Sequence, residues 1–380
     1  MDKALAELIK ISNTVGADSS LVLGEFGNTS VKSADGKGMY IKASGTALKE
    51  MSEQYGWRRL RLDSVLAILK DKSLSEMTVE KREVKVAEDL VEACDDGLEA
   101  GVRPSVESCF HSILDRFAVH MHPAAVLAYV CAKNGKAELE KLFGEEIFPP
   151  VWVAYSNVGY MLAKEIETAV ADYKGRYGRR PAVMFLQNHG LVVSSNSSDT
   201  TMRLIHKAVD TCEGNLSQLS GMAGTVETKA VSAKQVAAGV SAICKAFSRV
   251  SSEAVEVLHF MDENIARLMA NEDGARVCSV PAVSPDELVY CNGPAMWVDK
   301  CDEQKIISGL NRRTANGLGI PAAVLIKPIG LFIIGQRRFP LVRDVVTAYL
   351  SIRSFAARMG GLCPLSEPER KFILNHKNTV

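Results

Sequence analysis

Only seven histidines occur in this 380-residue chain, and two stand one residue apart in His120-Met121-His122. In a β-strand, residues i and i+2 point to the same face. A strand through Val119 to His122 therefore presents two imidazoles side by side. A third histidine, His189, follows the apolar stretch Ala182 to Gln187 and precedes Gly190. That stretch reads as a buried strand, with Leu191 to Ser194 as its hairpin partner. A pair of imidazoles on one strand, joined by one from the end of a second, is a workable half-shell for a divalent transition metal. For the pair taken alone, the plainer alternative is a set of hydrogen-bonded core histidines.

The surrounding composition is that of an ordinary globular chain, 47% hydrophobic and 24% charged. It is long enough for two domains with substantial cores. Its 45 basic and 45 acidic side chains cancel, which argues against nucleic acid or an anionic membrane as partner. No apolar run is long enough to span a bilayer. Met1 to Lys10 has an amphipathic helix pattern with acids in it, unlike a signal peptide. Nine cysteines, an odd count with no CxxC pair, read as free thiols in a reducing compartment. The cytoplasm is the expected location.

A small, turn-forming run, Ser220-Gly221-Met222-Ala223-Gly224-Thr225, marks the best boundary. Residues 1–222 are expected to form one domain and residues 223–380 a smaller α+β region. In the first, a helix over 1–15 precedes a hairpin that turns at Asp35-Gly36-Lys37-Gly38 and returns through Met39 to Lys42. Ser44 or Thr46 offers the N-cap oxygen of a following helix. A strand over 57–62, a helix from near Asp63 and another over 84–99 come next. Pro104-Ser105 opens a helix to about Arg116. The histidine strand, a helix over 123–134, an irregular stretch over 142–153, a helix over 159–177, the hairpin and a helix over 198–219 complete the domain. Beyond the boundary the pattern predicts a largely helical stretch over 232–272, strands around 287–298, and helices over 303–315 and 340–359.

An internal echo links the two parts, since Pro181 to Val193 resembles Pro321 to Ile333. In register, His189 falls opposite Ile329 and Asn188 opposite Pro328. Any two hairpins with a glycine turn look alike, so the echo is compatible with coincidence. Either way the second copy lacks the ligand, and the chemistry belongs to the first 220 residues.

Three further segments, Gly27-Asn28-Thr29-Ser30, Ala43-Ser44-Gly45-Thr46 and Pro104-Ser105-Val106-Glu107, place small hydroxyl or amide side chains at turns or helix starts. Such turns offer backbone N–H groups and hydroxyls to an anion, although each alone is ordinary turn chemistry. Taken in this order with the His-x-His strand and the later Asn-His-Gly, they resemble the class II aldolase/adducin family over roughly residues 20 to 215. The run from Pro104 to Pro123 is most similar to one branch, the aldolase half of the bifunctional rhamnulose-1-phosphate aldolase/alcohol dehydrogenases. The C-terminal portion, with Ser284 to Tyr290 and the Gly330-Leu331-Phe332 hairpin, resembles the end of that half. The chain contains no GxGxxG, so the dehydrogenase half and a nicotinamide cofactor are not expected.

The resemblance implies a three-layer α/β/α domain around a largely antiparallel sheet. It implies that His120, His122 and His189 ligate a divalent metal, zinc being the expected ion, and that Glu107 is the acid/base residue. Asn28, Thr29, Ser44, Gly45 and Ser105 would cradle a phosphate or carboxylate. Sugar-phosphate relatives often carry two serines before the glutamate, whereas Val106 stands here, so one hydroxyl is lost. Lys42 is placed to supply a positive charge, Asn188 to orient the His189 loop, and His111, at i+4 from Glu107, to share its helix face. The implied reaction is metal-dependent aldol cleavage of a keto sugar or sugar phosphate. Epimerases and dehydratases of ketose phosphates use similar sites, and an adducin-like interaction module is the non-catalytic alternative. A homo-oligomer, tetrameric by the same resemblance, is the expected assembly.

Overall fold

A computed structural model describes residues 2–97, 102–221, 231–251, 255–270, 274–335 and 339–376. Residues 222–225 of the turn-forming run and residues 98–99 of the helix anticipated over 84–99 lie outside these ranges. The chain forms two compact units. The first comprises Met1–Val130, Lys136–Gly214 and Asn375–Val380; the second comprises Cys131–Gly135 and Asn215–Leu374.

The first unit is built on seven strands: β1 (Asn28–Lys32), β2 (Gly38–Lys42), β3 (Trp57–Arg61), β4 (Phe117–Met121), β5 (Val151–Val153), β6 (Val183–Leu186) and β7 (Gly190–Ser195). Their order is β3-β2-β1-β4-β7-β6-β5. Every pair is antiparallel except β5 with β6. Alternation along the strands sorts the residues by face. Asn28 lies opposite His120, Ser30 opposite Ala118, and His120 opposite Val192. These residues share one face, and Ala118 and Val192 continue there into an apolar core. Helices Leu62–Lys70, Val79–Glu92 and Tyr160–Tyr177 cover that face through Val65, Ile68, Val86, Leu90 and Ile166. Helix Lys3–Ala17 covers the other face; Asp2 caps it, and its Ser12 meets Thr29 of β1. Helices on both faces of a mostly antiparallel sheet give the anticipated three layers.

Several local expectations fail for identifiable reasons. Neither Ser44 nor Thr46 caps a helix: only a 3-10 turn, Leu48–Glu50, follows, with Ala47 at its N-cap and no side-chain cap bond. The helix after Pro104-Ser105 is short, Ser108–Ile113, because Glu107 occupies its N-cap and Leu114 is already extended. The stretch over 142–153 contains a short edge strand, β5, held parallel to β6.

In the second unit, strand β8 (Glu256–Phe260) interrupts the stretch anticipated as helical. Pro285–Cys291 is helical where a strand was anticipated, since Ser284 accepts from Glu287 N and Pro285 takes the first turn. Strands β9 (Met296–Val298), β10 (Ala323–Ile326) and β11 (Gly330–Gly335) follow, and a further helix, Glu367–Asn375, succeeds Phe339–Arg358. The four strands run in the order β8-β11-β10-β9. That order, with one parallel pair at the end, repeats β4-β7-β6-β5. The registers agree residue by residue: Leu186↔Gly190 matches Ile326↔Gly330, and His120↔Val192 matches His259↔Phe332. The echo in the sequence is thus a repeated four-stranded layout. Among the described residues, no helix is long and apolar enough to cross a membrane.

Candidate metal centre

The centre begins where β4 ends. His120 and His122 project from one face at this point, and the turn from β6 to β7 carries His189 across to them. Asn188 adopts a left-handed conformation in that turn (φ 54°), and its N–H donates to Val130 O at 2.9 Å. Two glycines permit the crowding. A Cβ on Gly190 would lie 2.6 Å from both His122 Cδ2 and Met121 O. One on Gly27, itself at φ +88°, would lie 2.6 Å from His120 O.

The Nε2 atoms of His122 and His120 are 2.9 Å apart, and those of His120 and His189 are 3.2 Å apart. Two nitrogens about 2.05 Å from one tetrahedral ion stand about 3.3 Å apart, so this spacing is that of ligands around a common centre. His120 Nδ1–H donates to Leu191 O at 3.1 Å, which leaves its Nε2 lone pair free for a metal. Phe26 stacks on the His122 ring. Burial, followed by the neighbouring charges, holds His122 and His189 well below the ordinary imidazole range, so both stand neutral, as metal ligands must.

Glu107 is buried against this group. Its Oε2 lies 3.5 Å from His120 Nε2 and its Oε1 3.5 Å from His189 Nε2. Asn28 Nδ2 donates to Oε2 at 2.6 Å, while Oε1 is buried with no hydrogen-bond partner. Burial alone would raise this carboxyl, but His120, His189 and the Asn28 donor bring it below the usual carboxylate range. The orphaned oxygen beside three converging lone pairs fits a cation bound by His120, His122 and His189, with Glu107 at its side.

A rigid network lies behind the carboxylate. Asn28 Nδ2 also donates to Ser105 Oγ at 3.2 Å, and its Oδ1 accepts from His111 Nε2. His111 Nδ1 in turn accepts from Ser30 Oγ at 2.7 Å. His111 thus bonds to Asn28 and Ser30 and not to the three-histidine cluster. Ser30 was missed in the sequence, although its i+2 spacing from Asn28 on one strand was the available signal.

The anticipated anion cradle is only partly assembled. Ser44 N donates to Arg103 O and Ser44 Oγ to Pro104 O, which ties the exposed Ser44-Gly45 turn to the segment leading into Ser105. Ser105 N donates to Lys42 O at 3.1 Å. Thr29 is the exception: its side chain lies on the opposite face, buried and bonded to Ser12 Oγ at 2.6 Å. Alternation on β1 makes this unavoidable once Asn28 faces the histidines. Lys42 is buried, and desolvation pulls its ammonium down to about 8, offset in part by Glu107 and Glu25.

The sequence profile of the Class II Aldolase and Adducin N-terminal domain matches residues 6–216. The chain belongs to this family. The chain is 26% identical over 319 residues to "Uncharacterized oxidoreductase YuxG" of Bacillus subtilis (strain 168), a match spanning 79% of this chain and 43% of that protein. The chain therefore spans less than half of that relative's length. Among solved structures, the N-terminal class II aldolase domain of a conserved Thermoplasma acidophilum protein is similar at 25% identity with a TM-score of 0.46. That likeness covers 57% of this chain and 95% of the other. YgbL of Escherichia coli, a putative aldolase/epimerase/decarboxylase, is similar at 16% identity with a TM-score of 0.38, covering 61% and 95%.

Proposed function

We propose that the first unit is a metal-dependent carbon–carbon lyase that cleaves a keto sugar or sugar phosphate by a retro-aldol reaction. The observation that carries this reading is the convergence of His120, His122 and His189, all within 4.8 Å, beside a buried Glu107 with an unpartnered oxygen. A divalent cation held by the three imidazoles, zinc being the ion suited to them, supplies Lewis acidity toward the carbonyl and neighbouring hydroxyl oxygens of a ketose.

The remaining work falls to the chain itself. Glu107, ionised at neutral pH, takes and returns the proton at the reacting carbon or hydroxyl. Asn28 fixes the orientation of that carboxylate, and His111 fixes Asn28. Ser105 Oγ accepts from Asn28 Nδ2 and from Glu107 N at 3.3 Å, so its own proton is available to a substrate oxygen. The Lys42 ammonium, whose charge is felt by Glu107, is the cation available to an anionic substrate. Retention of all three histidines favours catalysis over an adducin-like interaction role.

The deciding experiment is metal analysis of the purified protein, then product analysis over phosphorylated and unphosphorylated ketoses. Two carbonyl fragments, lost on chelation and restored by zinc, are expected; borohydride with substrate should leave the enzyme active. An epimer or a dehydrated sugar as the product would replace the lyase reading. Activity that survives complete metal removal would overturn the mechanism.

A further inference from the structure

Outside the histidine cluster, the second unit carries an open cavity of about 890 Å³. This volume lies within the range of small-molecule sites. It is bordered by edge strand β9, by the end of helix Glu303–Ala315 and by the start of helix Glu367–Asn375. Trp297 of edge strand β9, which lies opposite Leu325 of β10, is part of its lining.

The lining is chemically biased. Arg312, Arg313 and Arg370 border the cavity, and among the described residues none forms an ion pair. The acids nearby are engaged: Asp299 accepts from Trp297 Nε1 at 2.8 Å, and Glu367 pairs with Lys371 at 2.7 Å. Arg313 is 9% exposed and donates to Pro294 O and Asn292 O; its Nε–H has neither a partner nor exposed surface, so Arg313 gives the cleft its charge and not a free hydrogen bond. Glu287 exerts the favourable charge on Arg313, but its carboxylate is already bound bidentately by Arg353 at 2.6 and 2.8 Å. A buried guanidinium without a carboxylate of its own is costly unless something anionic completes it.

We propose that this cavity binds a small multivalent oxyanion, a phosphate ester or polycarboxylate of metabolite size, held by Arg312 and Arg370 beside Trp297, with the buried charge of Arg313 behind them. Planar guanidinium forks match both carboxylate and phosphate oxygens. The site is independent of the reaction assigned to the first unit.

The test titrates the full chain with inorganic pyrophosphate and, separately, with citrate at constant ionic strength, following calorimetric heat and tryptophan fluorescence. Saturable binding by either probe is expected, and the probe that binds identifies the oxyanion class. Binding should persist in a His120→Ala/His189→Ala variant and weaken about tenfold or more in Arg312→Ala/Arg370→Ala. Arg312 is exposed, so Arg312→Glu supplies a variant that keeps the fold if the double replacement does not. No saturable binding up to roughly millimolar probe, binding indifferent to the arginine replacements, or binding lost with the histidines would each overturn the proposal.

Discussion

Replacing Gly190 by alanine is the sharpest perturbation of the histidine cluster, because it adds one methyl group and changes no ligand. That methyl carbon would lie 2.6 Å from His122 Cδ2 and from Met121 O, and 3.2 Å from His120 Cε1. Ordinary contact begins near 3.4 Å, so the neighbours must give way by about 0.8 Å. Met121 O cannot swing aside, since Met121 lies opposite Leu191 in the β4–β7 ladder. The strands must part or the His122 ring must tilt. Overpacking of this kind costs about 1–3 kcal/mol, and displaced ligand geometry lowers metal affinity by roughly 10- to 100-fold. Thermal unfolding of the metal-free protein reads the first quantity, and zinc competition against a chromophoric chelator reads the second. Gly214→Ala is the matched control: the residue is helical and exposed, with nothing within 4 Å of the added carbon. It should stabilise by about 0.5–1 kcal/mol and leave zinc affinity alone. Gly190→Ala with unchanged stability and unchanged zinc affinity would refute the close-approach reasoning.

Other consequences are open to direct measurement. Glu107→Gln keeps the shape but loses the proton carrier, so kcat should fall at least roughly 100-fold while bound zinc by elemental analysis is unchanged. Asn28→Asp sets a second carboxylate against Glu107, which raises the Glu107 pKa; the acidic limb of the kcat/KM profile should move to higher pH. If the Lys42 cation holds the substrate anion, the protonated form is the active one, so kcat/KM should decline as pH rises through about 8. Lys42→Arg should push that limb upward; a limb that does not move assigns it to another group. Thr29→Val removes the hydroxyl that donates to Ser12 and should cost about 0.5–1.5 kcal/mol in chemical denaturation, with steady-state kinetics unaltered.

The legible parts of this site were those fixed by strand period. A two-residue spacing across the end of β4 sufficed to align His120 with His122, and the glycine turn after β6 sufficed to bring up His189. The same rule, applied to β1, would have separated Thr29 from Asn28 and joined Ser30 to it; reading the turn as a motif obscured this alternation. What period cannot reveal is how many residues a helix keeps once tertiary bonds compete. Glu107 sits at an N-cap and not inside a first turn because its carboxylate is committed to Asn28 and the imidazoles. Strand β8 was hidden for a similar reason. Glu256 to Phe260 is short and half-exposed, and it is defined by its ladder with β11, a partner some seventy residues away in sequence.

The repeat also shows why, among the described residues, the three-histidine cluster has no counterpart in the second unit. His259 takes the ladder position of His120, and Gly330 keeps the clearance of Gly190: a Cβ there would lie 2.7 Å from His259 Nε2 and from Phe260 O. The packing that brings an imidazole against the turn is therefore retained. The donor set is not. Ile329 replaces His189 and is buried in the apolar cluster around Phe332 and Ile326, so no second imidazole can approach. His259 Nε2 instead donates to the carbonyl of Ile329 at 2.9 Å, which places a proton where His120 keeps a lone pair. An imidazole whose Nε2 carries the proton turns no lone pair toward that turn, so the arrangement of His120 is not reproduced. The second unit thus preserves the steric design of the centre while lacking its coordination chemistry, and the distinguishing residues are Ile329 and the tautomer it imposes on His259.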